Sequence, residues 1–289
     1  DGYGSGFYNV IRYTAMYGPV CLGLALVMIT GNIDLSIGST ACLSGILFAL
    51  CMTKTGMHPL LAVVICVIAG ALMGYINGLF ITKLKLHPFI VTLAASNIGY
   101  GFVLVISEGY TISGITGKVL TIGQGMLGPI PVPTVIFIVF VAILTYILKC
   151  TPFGRELFAI GGNAAASRLV GINVESRTRL VYLLSGAFAA FAGIMVACRY
   201  NSGQPTIGET WVMNSITAAV IGGTSMAGGI GTVVGTLVGT LLMQLLSNAI
   251  VMLNISQYWE QVMIGSVVLL AVVIDSLRTM GRTKSLRNK

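Results

Sequence analysis

Residues 133–149 read PTVIFIVFVAILTYILK, with no charge before the last position. Residues 59–82, 180–198 and 229–253 repeat the pattern without any charge at all. A helix rises about 1.5 Å per residue, so roughly 20 apolar residues cross a bilayer core of about 30 Å. A soluble domain carries about one charged residue in four; here the share is 8%, with 56% hydrophobic residues. No long polar segment is left from which a separate soluble domain could be built. The chain is therefore read as all-α, a polytopic membrane helical bundle occupying residues 1–289 as one domain.

Crossings are expected near residues 10–30, 36–53, 59–82, 88–107, 133–149, 179–198, 211–228, 230–253 and 258–276, about nine helices in all. Pro59, Pro88 and Pro133 stand at three of the starts, where a missing backbone N–H is harmless. Pro19 lies inside the first span and should kink it. With nine crossings, twelve of the 16 Lys and Arg residues fall on one face: Lys83 and Lys85, then the five between Lys149 and Arg179, then the five from Arg278 onward. Arg12, Lys54, Lys118 and Arg199 fall on the other. Short loops rich in Lys and Arg stay in the cytoplasm, so the first face is cytoplasmic and the C-terminus lies inside. The first residue is Asp1 rather than Met. One more helix before it would give ten crossings and an inside N-terminus.

The net charge of +8 is accounted for by these loops and does not signal nucleic acid. Six cysteines without a CxxC pair signal neither a zinc site nor a redox motif. His58 and His87 each precede a proline at a helix start and read as loop residues. A membrane enzyme would need a nucleophile, a metal cluster or paired acids, and eight dispersed acids with two lone histidines supply none.

Three segments break the apolar pattern. In residues 31–39, GNIDLSIGS, Asp34 sits between two hydrophobic runs. An acid there is costly unless it meets water, a partner or backbone donors. Asp34 or Ser36 can cap the following helix; equally, the segment can be a broken helix end beside a water-filled path, and the two readings are compatible. Residues 222–231, GGTSMAGGIG, hold five glycines, each costing about 1 kcal/mol in a helix relative to Ala. A tight connection or a close helix contact is expected. No GxxxxGK[ST] occurs, so the chain has no phosphate-cradling loop of that kind. The third segment, residues 150–178, is the longest cytoplasmic one. Asn163 can cap a short helix over 164–170, Gly171 can end it, and Arg168 would project from it. Such a helix suits protein docking at the membrane surface better than a further span.

Within the spans, Asn77, Ser96, Asn97, Tyr100, Asn214, Gln244 and Asn248 are polar. They suit a neutral polar solute, and they suit interhelical hydrogen bonding equally well.

Taken in order, the three segments resemble those of the permease subunit of bacterial ATP-binding-cassette (ABC) importers for simple sugars, the branch for ribose, galactose, xylose and autoinducer-2. Residues 27–39 resemble the family's GGIDLSVGS signature, residues 159–173 its cytoplasmic GGNxEAARLSGIN loop, and residues 219–232 its AVVIGGTSLxGGxG segment. The resemblance spans the chain. Asn32, Ala165 and Ser167 depart from the pattern, leaving Arg168 as the loop's main ionic group. The resemblance implies ten membrane helices in the intact family and a cytoplasmic coupling helix carrying Gly162, Asn163, Arg168 and Gly171. It implies a second permease subunit, an ATPase subunit that holds ATP and Mg, and an extracytoplasmic sugar-binding protein. This chain itself would bind no cofactor, and its setting would be the lipid of the bacterial inner membrane. Asp34, Ser36, Asn97 and Tyr100 are the expected pathway residues. The competing expectation is an ion-coupled carrier using Asp34 as its coupling acid.

Overall fold

The computed structural model describes residues 2–253 continuously and scattered positions between 259 and 273. The expected crossing at 258–276 and the last five basic residues lie outside the described stretch. Eleven helices follow in order: α1 (Gly2–Ile29), α2 (Ile37–Thr53), α3 (Pro59–Lys83), α4 (Pro88–Ser107), α5 (Thr121–Gln124), α6 (Val132–Cys150), α7 (Pro152–Gly162), α8 (Ala164–Leu169), α9 (Val174–Tyr200), α10 (Trp211–Ile221) and α11 (Val233–Met252). Among the described residues, strand structure is confined to two-residue ladders. Ile112–Ser113 pairs antiparallel with Ser202–Gly203, and Met126–Leu127 with Ile130–Pro131.

Among the described residues, α1, α3, α4, α6, α9 and α11 are long and apolar enough to cross a membrane. They are not equivalent. The most apolar 18-residue stretch of α9 is 67% buried, whereas those of α3, α4 and α6 are each 22% buried. Helices α1 and α9 therefore form the centre, and the other three show apolar faces such as Leu72, Ile90 and Ile138 outward. A soluble protein would hide such faces; a bilayer accepts them.

The centre closes by small residues. Gly70, Gly74 and Gly78 recur every fourth position along α3 and face α9. A Cβ on Gly74 would overlap the Tyr182 carbonyl oxygen, and one on Gly186 would overlap that of Gly70. Bare backbone lets two membrane helices approach closely, where dispersion replaces the absent hydrophobic drive.

Two expected crossings take a different form. Helix α10 has 11 residues, about 16 Å, and cannot span the core alone. The glycine-rich chain after Ile221 continues as irregular backbone, with Thr224 and Ser225 buried and Met226 and Ile230 exposed. Helix α2 has 17 residues and is buried over most of its length, so it is an interior helix. Pro19 does not end α1. The 150–178 segment also holds more than the single expected helix. Thr151 accepts the Gly154 N–H and Pro152 occupies the first turn, which starts the unexpected α7.

Candidate coupling site

Helix α8 stands at one end of the bundle, and its boundaries follow from three residues. The Asn163 side chain accepts the Ala166 N–H at 3.0 Å. Gly171 adopts φ +86°, the left-handed conformation that ends a helix at little cost to glycine. Asn173 then starts α9 by accepting the Ser176 N–H at 2.9 Å. Both Nε and Nη2 of Arg168 donate to Glu175 Oε1, at 3.0 and 2.8 Å. Arg168 is thus paired inside the segment rather than presented as a free cation. Arg177 of α9 pairs with Glu156 of α7 and lies over the Phe153 ring. Helices α7, α8 and α9 are tied together by these contacts.

The tip of α8 is apolar. Leu169 is 89% exposed and Val170 77% exposed. Neither was singled out by sequence reasoning, because two aliphatic residues after an arginine give no signal until the fold leaves them uncovered. A capped, cross-braced helix showing two bare aliphatic side chains is suited to fill an apolar pocket on another protein.

Directly behind α8 the three glycine-bearing segments meet. A Cβ on Gly161 would overlap the Ile29 carbonyl oxygen and the Gly229 backbone nitrogen. A Cβ on Gly228 would lie 2.8 Å from Gly31 Cα and 2.9 Å from the Gly161 oxygen. The Gly229 N–H donates to the Ile29 carbonyl at 2.8 Å. The end of α7, the α1–α2 turn and the α10–α11 connection are therefore joined main chain to main chain. The close contact expected of the 222–231 segment is present, and its partners are the other two motifs. Gly162 joins through its backbone only: a Cβ on Gly229 would lie 3.0 Å from the Gly162 nitrogen, whereas a Cβ on Gly162 itself would meet nothing within 4 Å.

Beyond the joint the chain turns back into the bundle at Asp34, which is 1% exposed. Its Oδ1 accepts the Ser36 N–H at 2.9 Å and the Ser36 hydroxyl at 2.7 Å; its Oδ2 accepts the Ser185 hydroxyl at 3.0 Å. Asn77 donates to the Ser36 hydroxyl at 2.9 Å, and the Tyr182 hydroxyl donates to the Ile33 carbonyl at 2.8 Å. Ser185 lies eleven residues into α9, about 16 Å from its start. A carboxylate at that depth is tolerable only because donors surround it. Neither Asp34 nor Ser36 forms the expected cap bond to α2; Asp34 instead closes a turn on Ser36 and ties it to Ser185 of α9, and Ser36 ties it to Asn77 of α3.

Tyr100 leans toward the same region: its hydroxyl would lie 3.1 Å from a Cβ on Gly38, and it is buried without a hydrogen-bond partner. Asn97, one turn earlier on α4, is exposed. The structure thus groups Asp34, Ser36 and Tyr100 around the start of α2 and leaves Asn97 apart. Among the described residues, no group of His, Cys, Asp and Glu could hold a metal ion.

Residues 6–272 match the family described as branched-chain amino acid transport system / permease component. The chain belongs to this permease family. The permease is 40% identical to the ribose import permease of Bacillus subtilis over 269 residues, 92% of this chain and 83% of that one. It is 36% identical to the ribose import permease of Escherichia coli K12, covering 94% and 86%. It is 30% identical to the E. coli K12 xylose transport system permease, covering 93% and 84%. No solved structure matches. The resemblance to sugar-importer permeases is borne out, and the permease is a multi-pass helical membrane protein and not an enzyme.

Proposed function

We propose that the permease is the membrane-spanning subunit of an ATP-driven importer in a bacterial inner membrane, forming the path for a neutral monosaccharide or a related small polar solute. A second permease subunit, identical or related, pairs with it. A separate ATPase subunit, holding ATP and Mg, docks on α8. An extracytoplasmic sugar-binding protein delivers cargo at the opposite end. Relatives named as ribose and xylose permeases support the cargo class. The twelve-to-four distribution of Lys and Arg supports a cytoplasmic α7–α8 and a cytoplasmic C-terminus.

The observation that carries the proposal is the bare apolar tip of α8, Leu169 and Val170, on a helix fixed at both ends. Closure of the ATPase displaces this tip. The displacement reaches α9 through Arg168–Glu175 and Asn173, and it reaches the α1–α2 turn and the α10–α11 connection through the Gly161 joint. ATP then biases the permease between outward-open and inward-open states, because the ATPase holds α8 differently in each. Asp34 weighs against an ion-coupled carrier: both of its carboxylate oxygens are engaged by serine donors.

The test is the double substitution Leu169→Glu with Val170→Glu. Both side chains already stand in solvent, so the melting temperature of the purified permease should stay within about 2 °C. ATP hydrolysis co-purifying with the tagged permease should fall at least tenfold, and sugar uptake should cease. Undiminished co-purification and uptake would remove α8 as the docking element.

A further inference from the structure

At the end of the bundle away from α8 there is a cavity of about 340 Å³, within the range of roughly 300–1,000 Å³ usual for small-molecule sites. It lies among α1, the end of α9, α10 and α11. Its lining includes the aromatic rings of Tyr13, Tyr200 and Trp211 and the polar side chains of Asn214, Gln244 and Ser247. Among the described residues no charged side chain lines it, and Arg12 and Arg199 stand next to the lining Tyr13 and Tyr200 in the chain. The Tyr13 and Tyr200 hydroxyls bond each other at 3.1 Å. Tyr17, behind them, spends its hydroxyl on the Trp211 carbonyl and on Ser215, and it meets the Trp211 ring edge-on at 5.5 Å between centroids. That fixes the indole in place. The side chains of Asn214, Gln244 and Ser247, by contrast, make no hydrogen bond among the described residues.

The chemistry selects a ligand. Two amides and a hydroxyl offer donors and acceptors together, which vicinal hydroxyl groups on a ring satisfy in both directions. Aromatic faces accept the C–H face of such a ring. An amino acid would bring an ammonium as well as a carboxylate, and no acidic side chain among the lining residues meets the ammonium. We infer that this cavity is a receiving site for a neutral monosaccharide inside the single permease subunit, built by Trp211, Asn214 and Gln244. The inference rests on the proposed import of sugars and adds where the cargo first touches the permease.

The two tryptophans of the chain are Trp211 and Trp259, so Trp259→Phe leaves Trp211 as the sole indole reporter. The experiment titrates this variant in lipid nanodiscs with ribose, galactose, xylose and, as a control, leucine. Concentrations run to about 100 mM, because a site that must release its cargo binds weakly. A saturable change in Trp211 emission is expected with at least one sugar and not with leucine. Adding Gln244→Leu or Asn214→Leu should weaken it at least tenfold; Ser247→Ala, a milder change, should weaken it severalfold. Uptake by the complete importer is measured alongside. If the importer moves sugar while no sugar alters the emission, the receiving site is refuted and sugar import stands. If the importer moves leucine and not sugar, and leucine alters the emission, both are refuted.

Discussion

The two ends of the permease are built by opposite means. At the α8 end, Gly31, Gly161 and Gly228 bring three chain segments into main-chain contact, beside a cavity of about 410 Å³ lined by Gly31, Asn32, His87 and Met226. At the far end, tyrosines, a tryptophan and amides hold four elements apart and leave a cavity. Aromatic rings and amides frame the space at the far end, whereas the contact at the junction is bare backbone against bare backbone. A close backbone junction suits the passing on of a displacement, and a half-open cavity with polar walls suits the reception of a solute. The difference teaches that movement and selectivity need not share residues in this fold.

The strongest way to break the contrast is to fill the junction. Gly161→Val should push α7 away from Ile29 and Gly229. Overpacking costs about 1–3 kcal/mol in a soluble core, and backbone overlap is less forgiving than a movable side chain. Uptake should be abolished, while sugar-dependent Trp211 emission at the far end should persist. Loss of both would show that the ends are not separable. A smaller effect is expected for Asp34→Asn. The amide would set two N–H groups among serine donors and leave one of the former bonds unmade, at a cost of about 1–3 kcal/mol. Thermal melting in detergent should register it, and a variant as stable as the parent would show that the turn before α2 does not depend on the carboxylate. The smallest effect belongs to Arg168→Ala. Arg168 and Glu175 are 52% and 43% exposed, and such pairs contribute about 0–1 kcal/mol, less as salt rises. Melting should hardly change, but coupling of ATP hydrolysis to uptake should loosen if the pair braces α8 against α9.

Much of this architecture could be read from the residues. Long charge-free runs became α3, α4, α6, α9 and α11 because nothing else satisfies their backbone in a bilayer. Asn163 and Gly171 ended α8 where expected, because caps and left-handed glycines act locally. Helix α7 was missed although Thr151–Pro152 is an ordinary start signal; the polarity around it drew attention away. The apolar run from Trp211 predicts a full crossing because hydropathy does not report that the helix stops at Ile221 and gives way to irregular chain. Arg168 looked free because its partner Glu175 lies seven residues on, beyond any helical neighbour rule. The meeting of Gly31, Gly161 and Gly228 depends on tertiary packing between segments far apart in sequence, and no local pattern reports it. Asn214 and Gln244 stood out as polar residues in apolar spans, but the tyrosines that turn them into a cavity did not.

The junction behind α8 also bears on how such a protein can diversify. Where two stretches of polypeptide touch without substituents, exchange of a residue has one direction only, toward bulk and separation. No alternative side chain can retune the fit. Inherited novelty is thereby steered to the opposite pole, where a tyrosine or an amide can be traded for another group and a new solute admitted while the lever beneath is left as it was.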